Sequence, residues 1–420
     1  MSFQQGISGL NATSKNLEVI GNNIANANTF GAKVARAEFG DVYAAALNGT
    51  GATMAGIGTN LTVVAQQFTQ GNIATTENPL DLAINGNGFF QLSDALTPVT
   101  YTRNGQFKVD RDGFIVSNAG RKLMGYAADA SGVIQTGQSA PLQLPTAGIA
   151  PVPTSAIDID MNLDSRKAVT FTGATPAIEF DDAATYNNAT SATVFDAKGQ
   201  EIALTLFFQK SANDTWHVYA TANGTTVAGT AAAPQPVTTI TYAPDGKAPT
   251  SPTAPVVFDI PSVLNAQGAT TLPIIGATID LRQTTQYGSP FAVSNLSQDG
   301  FGAGQLASIV VEPNGIVTAR YSNGQSRPAG QIEVANFRNP QGLQPLGDNQ
   351  WGRTFSSGDP VAGIPGDGNL GVLQSGALEQ SNVDITAELV DLITAQRVYQ
   401  ANAQTIKTQD QVMQTLVNLR

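Results

Sequence analysis

Apolar residues recur at helical spacing near the start of the chain. From Ser2 to about Ala27 they are separated by steps of three, four and once seven, at Phe3, Ile7, Leu10, Leu17, Ile20 and Ile24. Gln, Ser, Asn and Thr flank this stripe, and Lys15 and Glu18 are its only charged residues. Such spacing places the apolar side chains along one face of a helix. The pattern therefore predicts an amphipathic helix at the amino end.

The carboxyl end repeats this pattern over a longer stretch. No Gly or Pro interrupts the chain from Asp384 to about Asn418, and Ser381, Asn382 or Asp384 can cap the start of a helix there. Apolar residues recur every seven positions beside a second seam, at Ile385, Leu392, Tyr399, Ile406 and Met413, with Leu389, Ala403 and Val417. Heptads of this kind are typical of a coiled-coil-like strip. A terminal helix packed on its own domain is the alternative, but matching stripes favour pairing of the two ends and packing between copies.

The middle of the chain has the pattern of short strands. Alternating or apolar runs stand between Gly, Asn and Asp turns, for example in residues 80–92, 107–118, 191–209 and 307–325. The predicted fold is mainly β with α-helical termini. In it, nested β-barrel or β-sandwich-like domains stand on a coiled-coil-like pair of N- and C-terminal helices.

Composition shifts along the chain suggest where domains begin and end. Ala/Pro/Thr-rich stretches at 140–156 and 228–256 predict a linker and a long surface loop, and Gly49–Gly58 predicts a flexible connector. Four parts are predicted: a helical domain (1–28 plus 378–420), an extended connector (29–70 plus 365–377), a core β domain (71–155 plus 284–364) and an inserted outer β domain (156–283).

Charge and composition exclude several classes of function. The net charge of −11 argues against nucleic-acid binding, and no apolar run approaches the 18 residues of a membrane span. Charged residues make up only 13% of the chain, about half the usual share, and cysteine is absent. The first residues lack the pattern of a cleaved secretory signal. Composition alone would place the protein in the cytoplasm, with a surface suited to contacts between copies.

Apparent chemical motifs have simpler structural explanations. Gly366–Gly371 spells a dinucleotide-binding fingerprint, but the flanking prolines favour a turn. Asp158, Asp160, Asn162 and Asp164 alternate with apolar residues, which is the pattern of a half-buried strand and not of a calcium loop. His217 is the only histidine. No catalytic, cofactor-binding or metal-binding residue is predicted, although a pair of catalytic carboxylates has no sequence signature and stays open.

The two ends also carry a family resemblance. Residues 1–33, MSFQQGISGLNATSKNLEVIGNNIANANTFGAK, resemble the N-terminal signature of bacterial flagellar rod and hook proteins. Residues 378–420 resemble their C-terminal signature, especially in its hook form. Further segments resemble the core and outer domains of hook subunits: 80–92, 101–126, 192–219, 321–325, 334–343, 347–351 and 376–385. The chain is therefore identified as a member of the flagellar rod/hook axial protein family, most similar to hook proteins.

This resemblance implies a function and a location. A hook subunit polymerises into a flexible helical tube that joins rod to filament and transmits motor torque as a universal joint. The implied location is extracellular, in the hook and basal body, after export by the flagellar type III apparatus without a cleaved signal. Expected partners are other copies of the chain, the distal rod protein, the hook cap protein and the first hook–filament junction protein. Neither nucleic acid nor membrane insertion is expected.

The predicted self-assembly seam combines the apolar stripes of both ends, namely Phe3, Ile7, Leu10, Leu17, Ile20, Ile24, Ile385, Leu389, Leu392, Tyr399, Ile406, Met413 and Val417. Three other functions are weighed against the hook. A distal rod subunit shares both termini but usually lacks a full domain such as 156–283. An extracellular adhesin would have no use for paired ends, and an enzyme is a remote third alternative.

Overall fold

The computed structural model describes residues 2–42, 58–94, 97–129, 132–171, 173 and 175–418. The chain divides into two compact units. The first unit comprises Met1–Thr146, Ala307–Arg320 and Ser326–Arg420, and the second comprises Ala147–Leu306 and Tyr321–Gln325. Apart from Gly58, the connector predicted at Gly49–Gly58 lies outside the described residues.

Both terminal helices are present where the apolar stripes predicted them. Helix α1 spans Ser2–Asn26 and helix α2 spans Ile385–Asn418. Of the three candidate caps for α2, Asp384 takes the role. Its Oδ1 atom accepts hydrogen bonds from the amides of Thr386, at 2.9 Å, and Ala387, at 3.3 Å. These bonds satisfy amides that have no partner within the helix.

The strands of the first unit lie on either side of the second unit in the sequence. The part before it contains β1 (Ala35–Val42), β2 (Gly58–Gln66), β3 (Ile73–Thr75), β4 (Leu82–Asn85), β5 (Phe89–Asp94), β6 (Thr97–Thr102), β7 (Phe107–Val109), β8 (Ile115–Ser117), β9 (Lys122–Ala128) and β10 (Ile134–Pro141).

The second unit follows with β11 (Ala156–Asn162), β12 (Asn188–Phe195), β13 (Glu201–Ala212), β14 (Thr215–Ala222), β15 (Thr225–Thr226), β16 (Gly229–Thr230), β17 (Ala233–Pro234), β18 (Thr238–Tyr242), β19 (Pro249–Ser251), β20 (Val256–Ile260), β21 (Ile274–Asp280) and β22 (Ala292–Gln298).

The chain then returns through β23 (Leu306–Val311), β24 (Ile316–Tyr321), β25 (Ser326–Ile332), β26 (Val334–Asn336), a short 3-10 helix (Pro340–Gly342), β27 (Gln344–Gly347), β28 (Gln350–Gly352), β29 (Val361–Gly363), β30 (Val372–Ser375) and β31 (Ala377–Glu379). The predicted class, mainly β with a helix at each end, is confirmed.

One large sheet organises the β part of the first unit. Its strand order is β23-β24-β25-β9-β5-β6-β28-β27, and β10, β8 and β26 pair with β9, β9 and β5 respectively. Two short ladders join distant parts of the chain: β3 pairs antiparallel with β31, and β4 pairs antiparallel with β30. The segment that leads into α2 is therefore hydrogen-bonded to the segment that follows the β1–β2 hairpin.

Two sheets share one core in the second unit. Their orders are β20-β21-β11-β22 and β12-β13-β14-β18-β19. Side chains from both, such as Ile159, Phe208 and Trp216, are at most 1% exposed in a single buried cluster. This arrangement is a β-sandwich. In β11, Ile157, Ile159 and Met161 are buried while Asp158 is exposed, so the strand interpretation of the alternating aspartates is confirmed.

The structure differs from the predicted boundaries at several places. The second unit is wider than 156–283, because β22 pairs with β11 from Ile157↔Gln298 onward. The predicted connector at 29–70 contains the β1–β2 hairpin.

The stretch at 140–156 is not a plain linker, since β10 pairs with β9 and Leu142 and Leu144 are buried. The stretch at 228–256 is not a long loop, since β18 buries Ile240 and pairs with β14.

The second unit begins and ends at adjacent backbone positions. The amide of Ile149 donates to the carbonyl of Gly304 at 2.8 Å, and the reverse bond measures 3.2 Å. Replacing residues 150–303 with a short Gly/Ser linker should therefore leave the first unit able to fold. Residues 149 and 304 are already hydrogen-bonded neighbours, so a short linker can join them without strain. Thermal denaturation should still show a cooperative transition. Its loss would mean that the two units depend on each other for folding.

Candidate assembly surface

The two terminal helices pack against each other in antiparallel orientation. Gly6 faces Ile406, and Gly9 faces Asn402: a Cβ atom built on either glycine would stand 3.0 Å from the opposing side chain. Further along α1, the Nδ2 atom of Asn23 donates to Oε1 of Glu388 at 3.0 Å. The residue numbers rise along α1 as they fall along α2. The ends of the chain thus form one helical pair, as the matching stripes predicted.

Small and polar residues fill much of the contact between α1 and α2. Ala395 is 5% exposed and Thr13 is 8% exposed, and Gly6 and Gly9 let α2 approach closely. A pattern of large apolar residues does not include these positions. The available signal was the spacing of Gly6, Gly9 and Thr13 at three and four residues, which places small side chains on one helical face.

The structure distributes the predicted seam over two surfaces. Ile20 is buried, and Leu10, Leu17, Ile24, Leu392 and Ile406 are half-buried. The remaining described members are exposed: Ile7 at 40%, Ile385 at 42%, Leu389 at 46%, Tyr399 at 37% and Met413 at 56%. The side chains of Phe3 and Val417 lie outside the described residues. A strict seven-residue repeat drifts around a straight helix, so its members do not all meet one partner.

An apolar patch on α2 faces away from α1. Ile385, Leu389 and Ile393 follow one another at four-residue spacing and are 42–50% exposed, and Val390 beside them is 59% exposed. Residues four apart lie on the same helical face. Contiguous exposed apolar surface of this kind marks a site of protein–protein contact.

Helix α2 also extends past the end of α1. It has 34 residues, whereas α1 has 25 and begins at Ser2, so the antiparallel pairing ends near residue 410. Val412 and Met413 lie beyond this point and are 47% and 56% exposed. We call residues 410–418 the overhang.

Two asparagine side chains join the helical pair to the β1–β2 hairpin. Asn23 is 3% exposed; its Nδ2 donates to the carbonyl of Ala35 at 2.8 Å, and its Oδ1 accepts from the amide of Ala35 at 2.9 Å. Asn382 likewise accepts from the amide of Val34 at 2.7 Å and donates to the carbonyl of Gln67 at 2.9 Å. Each amide side chain takes the place of a neighbouring strand, because it donates to a backbone carbonyl and accepts from a backbone amide.

Glu388 is an ionisable group at this junction. Burial raises the pKa of its carboxyl above the usual glutamate value; the hydrogen bond from Asn23 opposes the shift, and the nearby charge of Asp391 adds to it. A raised pKa in the folded state means that the folded protein favours the protonated carboxyl. The resulting contribution to the free energy of unfolding is fully present below the glutamate pKa of the unfolded chain, about 4.3. It is lost as pH rises through the raised pKa of Glu388 in the folded chain.

Replacing Glu388 with glutamine should therefore remove a pH dependence. The introduced amide stays neutral and can still accept the hydrogen bond of Asn23. We expect the helical circular dichroism of E388Q to melt at a higher temperature than wild type, with a difference that grows as pH rises above about 4.3. The control is E18Q, because Glu18 is largely exposed and pairs with the exposed Lys15. The prediction would be contradicted if the melting temperatures of E388Q and wild type differed by the same amount at every pH. It would also be contradicted if E18Q showed the same pH-dependent difference.

A buried ionic group lies where the terminal segments meet the core. The side chain of Glu379 is fully buried and accepts from Lys33 Nζ at 2.6 Å, from Arg103 Nη1 at 3.2 Å and from the amide of Gly71 at 2.8 Å. Lys33 is also fully buried, and Arg103 is 3% exposed in its side chain. Burial lowers the pKa of Lys33, and the adjacent Glu379 carboxylate opposes that shift. We call these residues the Glu379 cluster.

Backbones approach one another closely around the Glu379 cluster. A Cβ atom on Gly71 would overlap the carbonyl oxygen of Gln380, and one on Gly105 would overlap that of Leu82. The amide of Gly31 donates to the carbonyl of Glu379 at 2.8 Å. Because real Cβ atoms do not approach so closely, a side chain at position 71 or 105 would push these segments apart.

The motifs that resembled chemical sites fold as ordinary structure. Gly366–Gly371 forms a turn region, in which Gly366 has φ +85°. His217 lies in β14; its Nδ1 is 3.0 Å from Thr239 Oγ1, and burial lowers its pKa. Within the described ranges, no three His, Asp or Glu side chains group closely enough to hold a metal ion. No helix in the described part combines the length and hydropathy that a membrane crossing needs.

Family models match most of the chain. They are, in order, Flagella basal body rod protein (residues 3–33), Flagellar hook protein FlgE/F/G D1 domain (83–167), Flagellar basal body protein FlaE D2 domain (162–301) and Flagellar basal body rod FlgEFG protein C-terminal (374–419). Together with the paired helices and the two β units, these matches define the class: an axial structural protein of the bacterial flagellum.

Full-length relatives narrow the class further. The chain is 40% identical to the flagellar hook protein FlgE of Salmonella typhimurium and 39% identical to that of Escherichia coli K12, with 100% of both chains covered in each case. It is 31% identical to that of Borreliella burgdorferi, covering 100% of this chain and 99% of the relative. The protein belongs to the flagellar hook protein family. Membership of this structural family implies a structural and not an enzymatic role.

A solved structure shares the fold. The crystal structure of the Helicobacter pylori flagellar hook protein FlgE2 superposes with a TM-score of 0.52 at 16% identity, covering 73% of this chain and 100% of that one. At this low identity the likeness concerns the fold alone.

Proposed function

We propose that this hook subunit polymerises into a flexible tube that joins the rod to the filament and transmits torque while bending. One observation carries the proposal: the helical pair leaves large apolar side chains uncovered along α2, from Ile385 to Met413. Further copies of the chain can bury this surface, which removes apolar area from water. In the tube, the helical pairs line the central channel.

The predicted seam then has two roles. Its half-buried members, such as Leu392 and Ile406, hold α1 and α2 together within one subunit. Its exposed members, Ile385, Leu389, Tyr399 and Met413, are covered by neighbouring subunits. This division explains why the heptad repeat of α2 is longer than the helix it pairs with.

Low surface charge suits a tube that bends as it rotates. Neighbouring subunits in such a tube must slide past each other once per turn. Charged residues make up only 13% of the chain, and amide, hydroxyl and small side chains replace them. Neutral polar groups exchange hydrogen-bond partners at a low net cost of about 1 kcal/mol each. Contacts of this kind permit sliding without holding one register.

The proposal extends to particular partners and to the route of export, and the family assignment supports both. The subunit is expected to leave the cell through the flagellar type III apparatus, to add beneath a hook cap onto the distal rod, and to accept the first hook–filament junction protein. Its extracellular position therefore needs no cleaved signal.

Electron microscopy of the concentrated, purified protein tests the proposal directly. Curved tubes are expected, together with restored motility when the gene is expressed in a flagellated bacterium that lacks its own hook subunit. Straight rods without hooks would favour the distal rod alternative. An absence of any polymer, in vitro and in cells, would defeat the proposal.

A further inference from the structure

An apolar groove runs beside the helical pair at the end nearest the hairpin. It encloses about 670 Å³ between α1, the first half of α2 and β1. Apolar side chains provide much of its lining, namely Ala12, Val19, Ile20, Phe39, Ala395 and Val398. Three charged residues, Arg36, Glu388 and Asp391, also line it. Phe39 and Val398 are 40% and 46% exposed, so the described residues leave much of these large side chains uncovered. We call this surface the hairpin groove.

The overhang is uncovered at the opposite end of the same helical pair. Its nine residues, 410–418, extend about 13 Å at 1.5 Å per residue. Val412 and Met413 are exposed on it, and Asp410 is its only charged residue. The overhang is thus a short, nearly uncharged apolar helix end that α1 does not reach.

We propose that the overhang of one subunit occupies the hairpin groove of the next subunit. The inference rests on the proposed polymerisation. The groove continues directly from the established α1–α2 interface, since Ala395 belongs to both. Within one chain the overhang cannot fill it, because Met413 lies 11 residues beyond Asn402, the last groove residue along α2, which is about 16 Å away on the same helix.

This contact joins two different surfaces and therefore does not close on itself. When a knob on one copy fits a hole elsewhere on the next, the assembly grows as an open helical polymer. A symmetric contact would instead stop at a dimer. The overhang and the groove occupy different positions along one helical pair, which is what a growing filament requires.

Disulfide crosslinking tests the contact. The chain has no cysteine, so a variant carrying A12C and M413C has only the two introduced thiols. Because a disulfide needs Cβ atoms about 3.5–4.5 Å apart, oxidation reports contact. Oxidised polymers should give a ladder of linked chains on denaturing gels. The control carries M413C and V133C; Val133 is 57% exposed on the first unit and far from the groove in sequence. Polymers in which A12C/M413C gives no more ladder than this control would overturn the proposal.

A second pair of variants tests the same contact without cysteines, in case the introduced thiols disturb assembly. M413D places a carboxylate in the apolar groove and should raise the critical concentration for polymerisation about tenfold or more. Q411D adds the same charge two residues away, on a polar position, and should change it little. Both free chains should melt like wild type, because Met413 is exposed there. Equal effects of M413D and Q411D would contradict the proposal. Normal tubes without the crosslink would refute this contact alone, whereas a wild-type chain that forms no polymer would refute the proposed function.

Discussion

Replacing Glu379 with alanine is expected to lower the free energy of unfolding of the first unit by about 3–5 kcal/mol. The change leaves Lys33 and Arg103 buried without their shared carboxylate. It also removes the acceptor of the Gly71 amide. Breaking a buried ion group by removing one partner costs far more than losing an exposed pair. Chemical denaturation of the purified chain measures the change.

The pH response of E379A separates an electrostatic effect from a simple loss of packing. Burial already lowers the pKa of Lys33, and Glu379 is what opposes this shift. In E379A the folded pKa of Lys33 falls further below its unfolded value of about 10.4, so the unfolded state binds more protons. The variant should therefore regain stability as pH rises. The control E38A removes an exposed pair with Arg36 and should cost less than about 1 kcal/mol. If E379A lowered the free energy of unfolding no more than E38A does, Glu379 would not stabilise the first unit through its buried ion pairs.

Aspartate at Leu392 or Ile406 is expected to separate the terminal helices and abolish polymerisation. Both side chains are half-buried on the face of α2 that meets α1, and Ile406 contacts the space beside Gly6. An unpaired carboxylate there should destabilise the helical pair by about 2 kcal/mol or more. The helical circular dichroism should melt earlier, while the β transitions of both units persist.

Leu389→Asp provides the matched comparison, because Leu389 lies on the same helix but is 46% exposed. The free L389D chain should keep its stability within about 0.5 kcal/mol of wild type. It should nevertheless fail to form tubes, since the proposed subunit contact covers this residue. If L392D still formed hooks on cells, or if L389D assembled normally, the assignment of the two faces would be wrong.

The helices and many of the strands could be predicted from sequence because their signals are local. A seven-residue apolar repeat and a capping aspartate define α2, and a strict alternation defines β11. The same logic explains the error at 228–256: Pro, Ala and Thr dominate that stretch, but Val237, Ile240 and Tyr242 carry enough apolar surface to form a buried strand.

The junction between helices and strands could not be predicted in this way. Glu379 meets Lys33 and Arg103 across 346 and 276 residues of sequence, and only the fold brings them together. Asn23 and Asn382 have the composition of ordinary surface amides. Their roles depend on which backbone groups the fold leaves without partners, and a local pattern contains no such information.

The close backbone approaches around Gly71 and Gly105 have a mechanical consequence. Long side chains are compliant, because each rotatable bond lets them yield under a load. At these two glycines the main chain rests directly on the main chain. The ladder between β3 and β31 also ties the segment of Gly71 to that of Gln380. A twist applied to the helical pair therefore reaches the large sheet of the first unit through stiff peptide planes and short hydrogen bonds. Each subunit would then behave here as a rigid lever, and compliance would be left to the surfaces between subunits.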